Sequence, residues 1–252
     1  MINLLKTVVR ACTRKLGYAV LDLRKDQSPG MFLPGHLKTT FDALGVNCII
    51  DVGANIGQYA SMIRNAGYTG RIISIEPVAG TYAALSKRAE GDSSWQTLNI
   101  ALGEKDEDKV LNVFAASDLS SFLGPSAKMS QNIVNSCITK TQPATVRRLD
   151  SIFEQIVAGL AQPRVFLKLD TQGYDLQVVR GANESLRHVL GLQSELSVIP
   201  LYEGMADYIE ALAFYRSLDF EPTGIFPVAH DRKTRHVLEF DAVLTRHSTP
   251  EA

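Results

Sequence analysis

Along the chain, short runs of β-branched residues alternate with stretches in which apolar residues recur every three or four positions. From residue 48 onward this alternation predicts strands joined by amphipathic helices. The predicted strands are Cys48–Asp51, Arg71–Ile75, 96–102, 110–115, 145–149, Arg164–Asp170, 192–199, 223–227 and 237–245, and the predicted helices are 57–66, 79–90, 151–157, 174–190 and 205–218. Such an order is typical of a parallel sheet with helices on both faces.

The last two predicted strands, 223–227 and 237–245, are close enough in sequence to form a hairpin. A terminal hairpin adds an antiparallel edge strand to a sheet that is otherwise parallel. The predicted fold class is therefore α/β, with a mostly parallel, seven-stranded, Rossmann-like sheet, an antiparallel edge strand and helices on both faces. The stretch 116–143 is rich in Ser, Asn and Gln and is predicted to be irregular.

The N-terminal segment has a pattern of its own. Between Leu4 and Leu16 apolar residues recur at helical spacing, with lysine and arginine on the other side. We expect this amphipathic helix to dock on the main domain; peripheral contact of residues 1–20 with an anionic membrane is the alternative. The segment 26–36, DQSPGMFLPGH, predicts a linker or lid. The predicted division is thus 1–40 for helix and linker, and 41–252 for the main domain.

Composition and charge narrow the functional classes. The 252 residues are 45% hydrophobic and 21% charged, and the formal net charge of −1 argues against a nucleic-acid-binding surface. The three cysteines are scattered without a CxxC pair, which fits a reducing cytosol better than a disulfide framework or a structural zinc. No apolar run reaches 18 residues. The expected location is cytoplasmic, with attachment at the inner membrane surface as the alternative, and no pattern indicates an oligomeric state.

The segment IIDVGANIGQY, residues 49–59, combines a strand, a glycine turn and the start of a helix. Gly53 and Gly57 allow the backbone to bend and to approach a ligand closely, and the helix start offers free N–H groups. Glu76 follows roughly 20 residues after the turn, where a carboxylate can accept the hydroxyls of a ribose. Pro77 ends that second strand. The segment therefore predicts a nucleoside site.

Two nucleoside cofactors fit this layout to different degrees. A dinucleotide fingerprint needs glycines at 53, 55 and 58, but Asn55 and Gln58 stand at two of these positions. Asp51 would repel a diphosphate, whereas it is suited to the amino group of a cationic nucleoside such as S-adenosylmethionine. S-adenosylmethionine is the favoured cofactor. An NAD-dependent sugar-modifying oxidoreductase and a non-catalytic scaffold are the alternatives.

Four motifs, DVGANIGQYA, ISIEP, NIALGEKD and FLKLDTQGYDLQVVRGA, resemble successive signatures of the FkbM-type methyltransferases. The resemblance covers residues 41–245. It implies a class I methyltransferase fold and S-adenosylmethionine-dependent O-methylation of a sugar, glycan or secondary metabolite. The cofactor-binding residues that it implies are Asp51, Gly53, Ala54, Asn55 and Gly57 on the methionine side, Glu76 and Pro77 at the ribose, and Ile100 and Ala101 beside the adenine.

Lys168 and Asp170 place two charges in a strand that otherwise appears buried. Their side chains leave the same face of the sheet, and a buried unpaired charge costs several kcal/mol, so a reaction site is the favoured explanation. Asp170 is predicted to remove or orient the proton of an acceptor hydroxyl. Lys168 would hold Asp170 ionised or stabilise a developing alkoxide. A structural ion pair is the alternative. Glu195, on the next strand, completes the predicted catalytic set.

Further candidates surround this set. Asp170 and Glu195 are the candidate ligands of a divalent cation, because both offer carboxylate oxygens on adjacent strands. Ser121, Gln172 and His230 are the candidate substrate contacts. The expected acceptor is a small molecule or glycan. The chain shows neither an aromatic stacking platform nor a basic groove, so no nucleic-acid partner is expected.

Overall fold

The computed structural model describes residues 32–231 and 233–246. The amphipathic helix predicted over 1–20, and the part of the predicted linker before residue 32, lie outside these residues.

The first described helix, α1 (Leu33–Leu44), packs on the sheet through Leu37 and Phe41. Pro34 lies in the first turn, where its missing N–H breaks no hydrogen bond, and Gly45 ends the helix with a left-handed φ of 58°. The predicted linker therefore ends before Leu33, and the boundary predicted at residue 41 falls within a continuous helix.

The strands and helices follow in chain order. The strands are β1 (Cys48–Val52), β2 (Arg71–Ile75), β3 (Trp95–Leu98), β4 (Ala101–Leu102), β5 (Glu107–Phe114), β6 (Ile138–Arg147), β7 (Val165–Leu169), β8 (Val189–Ser197), β9 (Phe220–His230) and β10 (Val237–Arg246). The helices after α1 are α2 (Gln58–Asn65), α3 (Ala79–Ala89), α4 (Ala127–Asn132), α5 (Leu149–Val157), α6 (Asp175–Arg180) and α7 (Tyr208–Ser217), with 3-10 turns at Ser117–Leu119 and Ser185–His188.

The main sheet has seven strands in the order β3-β2-β1-β7-β8-β10-β9. The first five strands in this order, β3, β2, β1, β7 and β8, are parallel to one another, which confirms the prediction of a mostly parallel, Rossmann-like sheet. Strands β9 and β10 form the predicted terminal hairpin, and β10 pairs antiparallel with both β8 and β9. The edge is β9. Pro222 and Pro227 of β9 have no backbone N–H to donate, so β9 is better suited to the edge than to a position between two strands. Strand β10 is more buried than β9.

Helices cover both faces of this sheet, as predicted. On one face α5, α6 and α7 contribute buried side chains such as Phe153, Val178 and Tyr215. On the other face α1, α2 and α3 contribute side chains such as Phe41, Ile63 and Leu85. Within 32–231 and 233–246, every helix is too short or too polar to traverse a lipid bilayer.

A second sheet, in the order β4-β6-β5, is absent from the prediction. The run 96–102, predicted as one strand, divides after Leu98 because Asn99 turns its side-chain amide onto the Glu76 carbonyl oxygen at 2.8 Å. Ala101 then pairs with Val146 of β6. Strand β6 also begins within the stretch 116–143 that was predicted to be irregular.

The helix predicted over 174–190 is wrong beyond residue 180. A Cβ atom at Gly181 would lie 1.9 Å from the carbonyl oxygen of Gly103, so the chain turns where the two backbones touch. The Asp150 carboxylate then accepts hydrogen bonds from the backbone N–H groups of Glu184 and Ser185. These contacts end the helix, and β8 begins at Val189.

Candidate active site

The carboxyl ends of β1, β2, β7 and β8 open into a cleft of about 480 Å³. Of the residues predicted to form the site, Gly53, Ala54, Asn55, Glu76, Pro77, Ala101, Ser121, Lys168, Asp170, Gln172 and Glu195 line this cleft. Asp51, Gly57, Ile100 and His230 do not. The cleft therefore brings the predicted cofactor and catalytic groups together at one edge of the sheet, where open α/β sheets bind ligands.

Gly53 lets the ends of β1 and β7 touch. Its φ is 76°, and a Cβ atom there would lie 1.9 Å from the carbonyl oxygen of Asp170. The N–H groups of Gly53 and Ala54 both donate to the carbonyl oxygen of Ile75 at 3.0 Å, which also ties this turn to β2. The residue is a glycine because three strand ends meet at it.

We expect Gly53→Ala to destabilise the protein by more than about 3 kcal/mol, because it combines a strained φ with a collision against backbone. Gly91→Ala is the matched control: its φ is 88°, but no atom lies within 4 Å of the added Cβ. The control should lose about 1–2 kcal/mol from backbone strain alone. Chemical denaturation of both variants measures the difference, and equal losses would show that the contact with Asp170 is not limiting.

Glu76 is a buried carboxylate held by backbone donors. Its Oε2 accepts the N–H of Asn55 at 2.9 Å, and its Oε1 accepts the N–H of Val78 at 2.8 Å. The residue is only 6% exposed, yet it lines the cleft. Burial raises the pKa of Glu76 to about 7 against the opposing effect of these hydrogen bonds. Each oxygen retains a lone pair for a hydroxyl donor.

Asp51 does not reach the cleft, so its predicted contact with a cofactor is not met. The strand β1 continues through Val52, which leaves Asp51 inside the sheet and 0% exposed. One carboxylate oxygen lies 3.3 Å from Lys168 Nζ, and the other accepts the Ser74 hydroxyl at 3.1 Å. Burial raises the pKa of Asp51, and the Lys168 ammonium opposes that effect. Asp51 is an internal counter-ion.

Three other predicted residues lie away from the cleft. Gly57 is the N-terminal cap of α2, and a Cβ there would lie 3.0 Å from the side chains of Leu85 and Trp95, so its role is in packing. Ile100 packs against the core of the main sheet. His230 is exposed at the end of β9 and does not line the cleft.

Lys168 joins β1 and β7 beneath the cleft. Its Nζ lies 3.3 Å from Asp51 Oδ1, 3.2 Å from Asp170 Oδ2 and 3.4 Å from the Gly53 carbonyl oxygen. Burial on its own lowers the pKa of the Lys168 ammonium, but the two carboxylates outweigh it and the net pKa is raised. Two of these contacts, with Asp170 Oδ2 and the Gly53 carbonyl oxygen, are hydrogen bonds, and the third is an ion pair with Asp51. The ammonium is thus engaged with oxygens of the protein itself, as the predicted role of supporting Asp170 requires.

Gln172 connects the two predicted catalytic carboxylates. Its Nε2 donates to Asp170 Oδ1 at 2.8 Å and to Glu195 Oε2 at 3.1 Å, while its Oε1 accepts the Tyr202 hydroxyl at 2.8 Å. Ser121 donates its hydroxyl to the Gln172 carbonyl oxygen at 2.7 Å. Both side chains, predicted as substrate contacts, are therefore engaged in holding Asp170 and Glu195 in place.

Beyond Asp170, the cleft continues onto β8 and β10. Gln193 and Glu195 lie on the same face of β8, and Asp241 of β10 is the register partner of Glu195. Burial and the neighbouring Asp170 raise the pKa of Glu195 well above its usual value. Burial also raises the pKa of Asp241 to about 6. The side chain of Asp170 is 35% exposed, and its Oδ2 lies 3.2 Å from Lys168 Nζ.

The protein-family model of the methyltransferase FkbM domain matches residues 51–222. The chain belongs to the FkbM methyltransferase family. The matched range contains all four motifs from which the resemblance was inferred. It includes the carboxyl end of β1 and all of β2, β7 and β8, the strands whose carboxyl ends form the cleft. This FkbM-family protein is therefore a methyltransferase. No curated protein matches the chain.

Solved structures similar to this FkbM-family chain are distant. A SAM dependent methyltransferase from Aquifex aeolicus shares 11% identity over 89% of this chain and 95% of its own, with a TM-score of 0.44. Magnesium protoporphyrin IX methyltransferase from Synechocystis PCC 6803, with bound SAM, shares 9% over 96% and 97%, with a TM-score of 0.44. A putative S-adenosylmethionine dependent methyltransferase from Listeria monocytogenes shares 7% over 84% and 100%, with a TM-score of 0.46. The family assignment rests on the domain match.

The predicted cation site between Asp170 and Glu195 is not supported in this FkbM-family protein. Over 32–231 and 233–246 no group of three or more His, Cys, Asp or Glu side chains has the geometry to hold a metal ion. The side-chain nitrogen of Gln172 lies within hydrogen-bond distance of both carboxylates instead. An N–H donor at that point occupies the oxygens that a cation would need.

Sequence reasoning missed three residues at the end of the site beyond Asp170. Asp241 places a charge within the mostly apolar run LEFDAVL. The same signal marked Lys168 and Asp170, so Asp241 could have been predicted from the sequence. Gln193 shares strand parity with Glu195 and was detectable in the same way. Tyr202 contacts Gln172, which is 30 residues away in the sequence, and no local pattern predicts that contact.

Proposed function

We propose that the cleft binds S-adenosylmethionine and that the protein transfers its methyl group to a hydroxyl of a sugar, a glycan or a secondary metabolite. The observation that carries this proposal is that Glu76 and Asp170 open into one cleft at the same sheet edge of an FkbM-family chain. Glu76 would bind the nucleoside, and Asp170 would act on the acceptor.

The cofactor end of the cleft offers hydrogen-bond acceptors that suit this ligand. Glu76 presents two oxygens, each with a free lone pair, to the ribose hydroxyls. The side-chain oxygen of Asn55 is buried without a partner, and Asn55 lines the cleft, so it would accept a hydrogen bond from the ammonium of the methionine group. S-adenosylmethionine, when bound, supplies an electrophilic methyl group on a sulfonium.

Asp170 is the base in this proposal. It would take the proton of the acceptor hydroxyl as the C–O bond to the methyl group forms, which leaves a methyl ether and S-adenosylhomocysteine. Lys168 and Gln172 fix the Asp170 carboxylate from two sides at 3.2 and 2.8 Å, so that its orientation is set before the acceptor arrives. Lys168 is a positioning residue, because it touches Asp170 and not the acceptor.

A hydroxylated acceptor is supported by the groups beyond Asp170. Asp170, Glu195 and Gln193 are all side chains that accept hydrogen bonds, and all three line the cleft. Hydroxyl groups are donors of the right kind for them. The sugar or metabolite class itself comes from the family resemblance.

We predict that the affinity for S-adenosylhomocysteine rises with pH. The ribose hydroxyls donate to the ionised form of Glu76, whose pKa in the free protein is about 7, so binding releases a proton at lower pH. The dissociation constant should fall about tenfold from pH 6 to pH 8 and level off above. Isothermal titration calorimetry measures this profile. Glu76→Gln should bind more weakly with a flat profile; a variant that kept the slope would assign the titration to another group.

The proposed reaction is tested by methyl uptake. Radiolabelled S-adenosylmethionine is incubated with the protein and a panel of nucleotide sugars, glycans and hydroxylated metabolites, and the label is located by mass spectrometry. We expect methyl ethers on at least one member. Thermal shift with S-adenosylhomocysteine and with NAD is measured in parallel. Stabilisation by NAD alone, or by neither ligand, would overturn the proposal.

A further inference from the structure

Carboxyl groups outnumber cations on the wall of the cleft beyond Asp170. Asp170, Glu195 and Asp241 line it, and Glu239 lies two residues from Asp241 on the same strand. Among the described residues that line the cleft, the only lysine or arginine is Lys168, whose ammonium is also paired with Asp51. This wall, which we call the acidic wall, is formed by Gln193, Glu195 and Asp241.

Gln193 gives the acidic wall a second, independent feature. The residue is 2% exposed and lines the cleft, and its side-chain oxygen has no hydrogen-bond partner. A buried acceptor without a donor is unfavourable, and a ligand that brings an N–H or O–H group would satisfy it.

The chemistry of the wall selects the kind of donor. Carboxylates and an amide oxygen only accept hydrogen bonds when the carboxylates are ionised. A hydroxyl offers one hydrogen and no charge, whereas a protonated amine offers three and a positive charge. Burial raises the pKa of Glu239 to about 7, and that of Asp241 to about 6, which shows that negative charge is disfavoured here while no cation is present. A cationic ligand would restore the ionised forms.

We propose that the acceptor carries a protonated primary amine, as an amino sugar does, which binds to Gln193, Glu195 and Asp241. The amine would lie beside the hydroxyl that Asp170 deprotonates. This inference rests on the proposed function and narrows its acceptor class: the amine is a recognition group, and the methyl group still goes to oxygen.

The test compares three matched sugars: D-glucosamine, N-acetyl-D-glucosamine and D-glucose. Their binding to the protein is measured by ligand-observed NMR, with and without saturating S-adenosylhomocysteine. We expect glucosamine to bind at least about tenfold more tightly than the other two, since charge-assisted hydrogen bonds are worth about 1.5–3 kcal/mol. Raising NaCl from 50 to 500 mM should weaken glucosamine binding and leave glucose binding unchanged.

Two variants locate the effect. Asp241→Asn keeps the shape of the side chain and should reduce the preference for glucosamine to about twofold or less. Glu154→Gln, which removes an exposed carboxylate on α5, should leave the preference unchanged. Equal affinities for the three sugars, no binding of glucosamine, or a preference that survives Asp241→Asn would each overturn the inference. Binding of S-adenosylhomocysteine is scored separately, so that loss of the cofactor site is distinguishable from loss of amine recognition.

Discussion

Asp170→Asn is expected to reduce the rate of methyl transfer by about 10²–10⁴-fold, the usual contribution of a general base. Asparagine has the same shape and still accepts the Lys168 ammonium at one position, but its amide cannot take a proton from the acceptor. The fold and the binding of S-adenosylhomocysteine should be preserved, because Glu76 lies on another strand. Single-turnover methyl transfer with a labelled donor measures the rate, and calorimetry measures the binding.

A charge-matched control separates the loss of the proposed base from the effect of removing any one carboxylate. Glu154→Gln removes one carboxylate from an exposed position on α5 and should transfer methyl groups at the wild-type rate. If Asp170→Asn keeps full activity, Asp170 is not the base. If it loses the binding of S-adenosylhomocysteine as well, the Asp170 carboxylate contributes to the cofactor site and not to the transfer step alone.

Lys168→Met is expected to lower the free energy of unfolding by about 3–5 kcal/mol, with a fall in Tm of roughly 10 °C. The reason is Asp51, which is completely buried and would lose its counter-ion. Because protonation neutralises a carboxylate without a partner, the loss should be smaller at pH 5 than at pH 8. Chemical denaturation at the two pH values measures it.

The double variant Asp51→Asn, Lys168→Met tests whether the buried charge is the cause. Asparagine keeps an acceptor for the Ser74 hydroxyl but carries no charge. Most of the lost stability should return, while activity should stay low because Asp170 still lacks its positioning ammonium. A single variant that loses less than about 1 kcal/mol, or a double variant as unstable as the single one, would contradict the assignment of Asp51 as a counter-ion.

The sequence was sufficient to predict that Gly53, Glu76 and Asp170 meet. Each follows a short apolar run, and the carboxyl ends of parallel strands share one edge of a sheet. Asp51 was misplaced for a related reason. Its distance from the end of β1 depends on a single residue, Val52: because the strand continues through Val52, Asp51 is left between the neighbouring strands and not at the cleft. Periodicity does not locate strand ends that closely.

Long-range pairing explains the larger errors. The second sheet depends on Ala101 meeting Val146 across 45 residues of sequence, which a local window does not encode. The network around Gln172 is of the same kind, since its partner Tyr202 follows a different strand.

The four carboxylates at the cleft lie at the same level across the main sheet. Asp241 pairs with Glu195, and Asp170 and Glu76 each come one residue after the last paired position of β7 and β2. Neighbouring strands are about 4.8 Å apart, so Glu76 and Asp170, with β1 between them, are separated by roughly 10 Å of hydrogen-bonded backbone. Loop grafts between homologues, for instance at 115–137 or 198–207, should therefore preserve the spacing of the four carboxylates, provided that the graft keeps Ser121 and Tyr202, which hold Gln172.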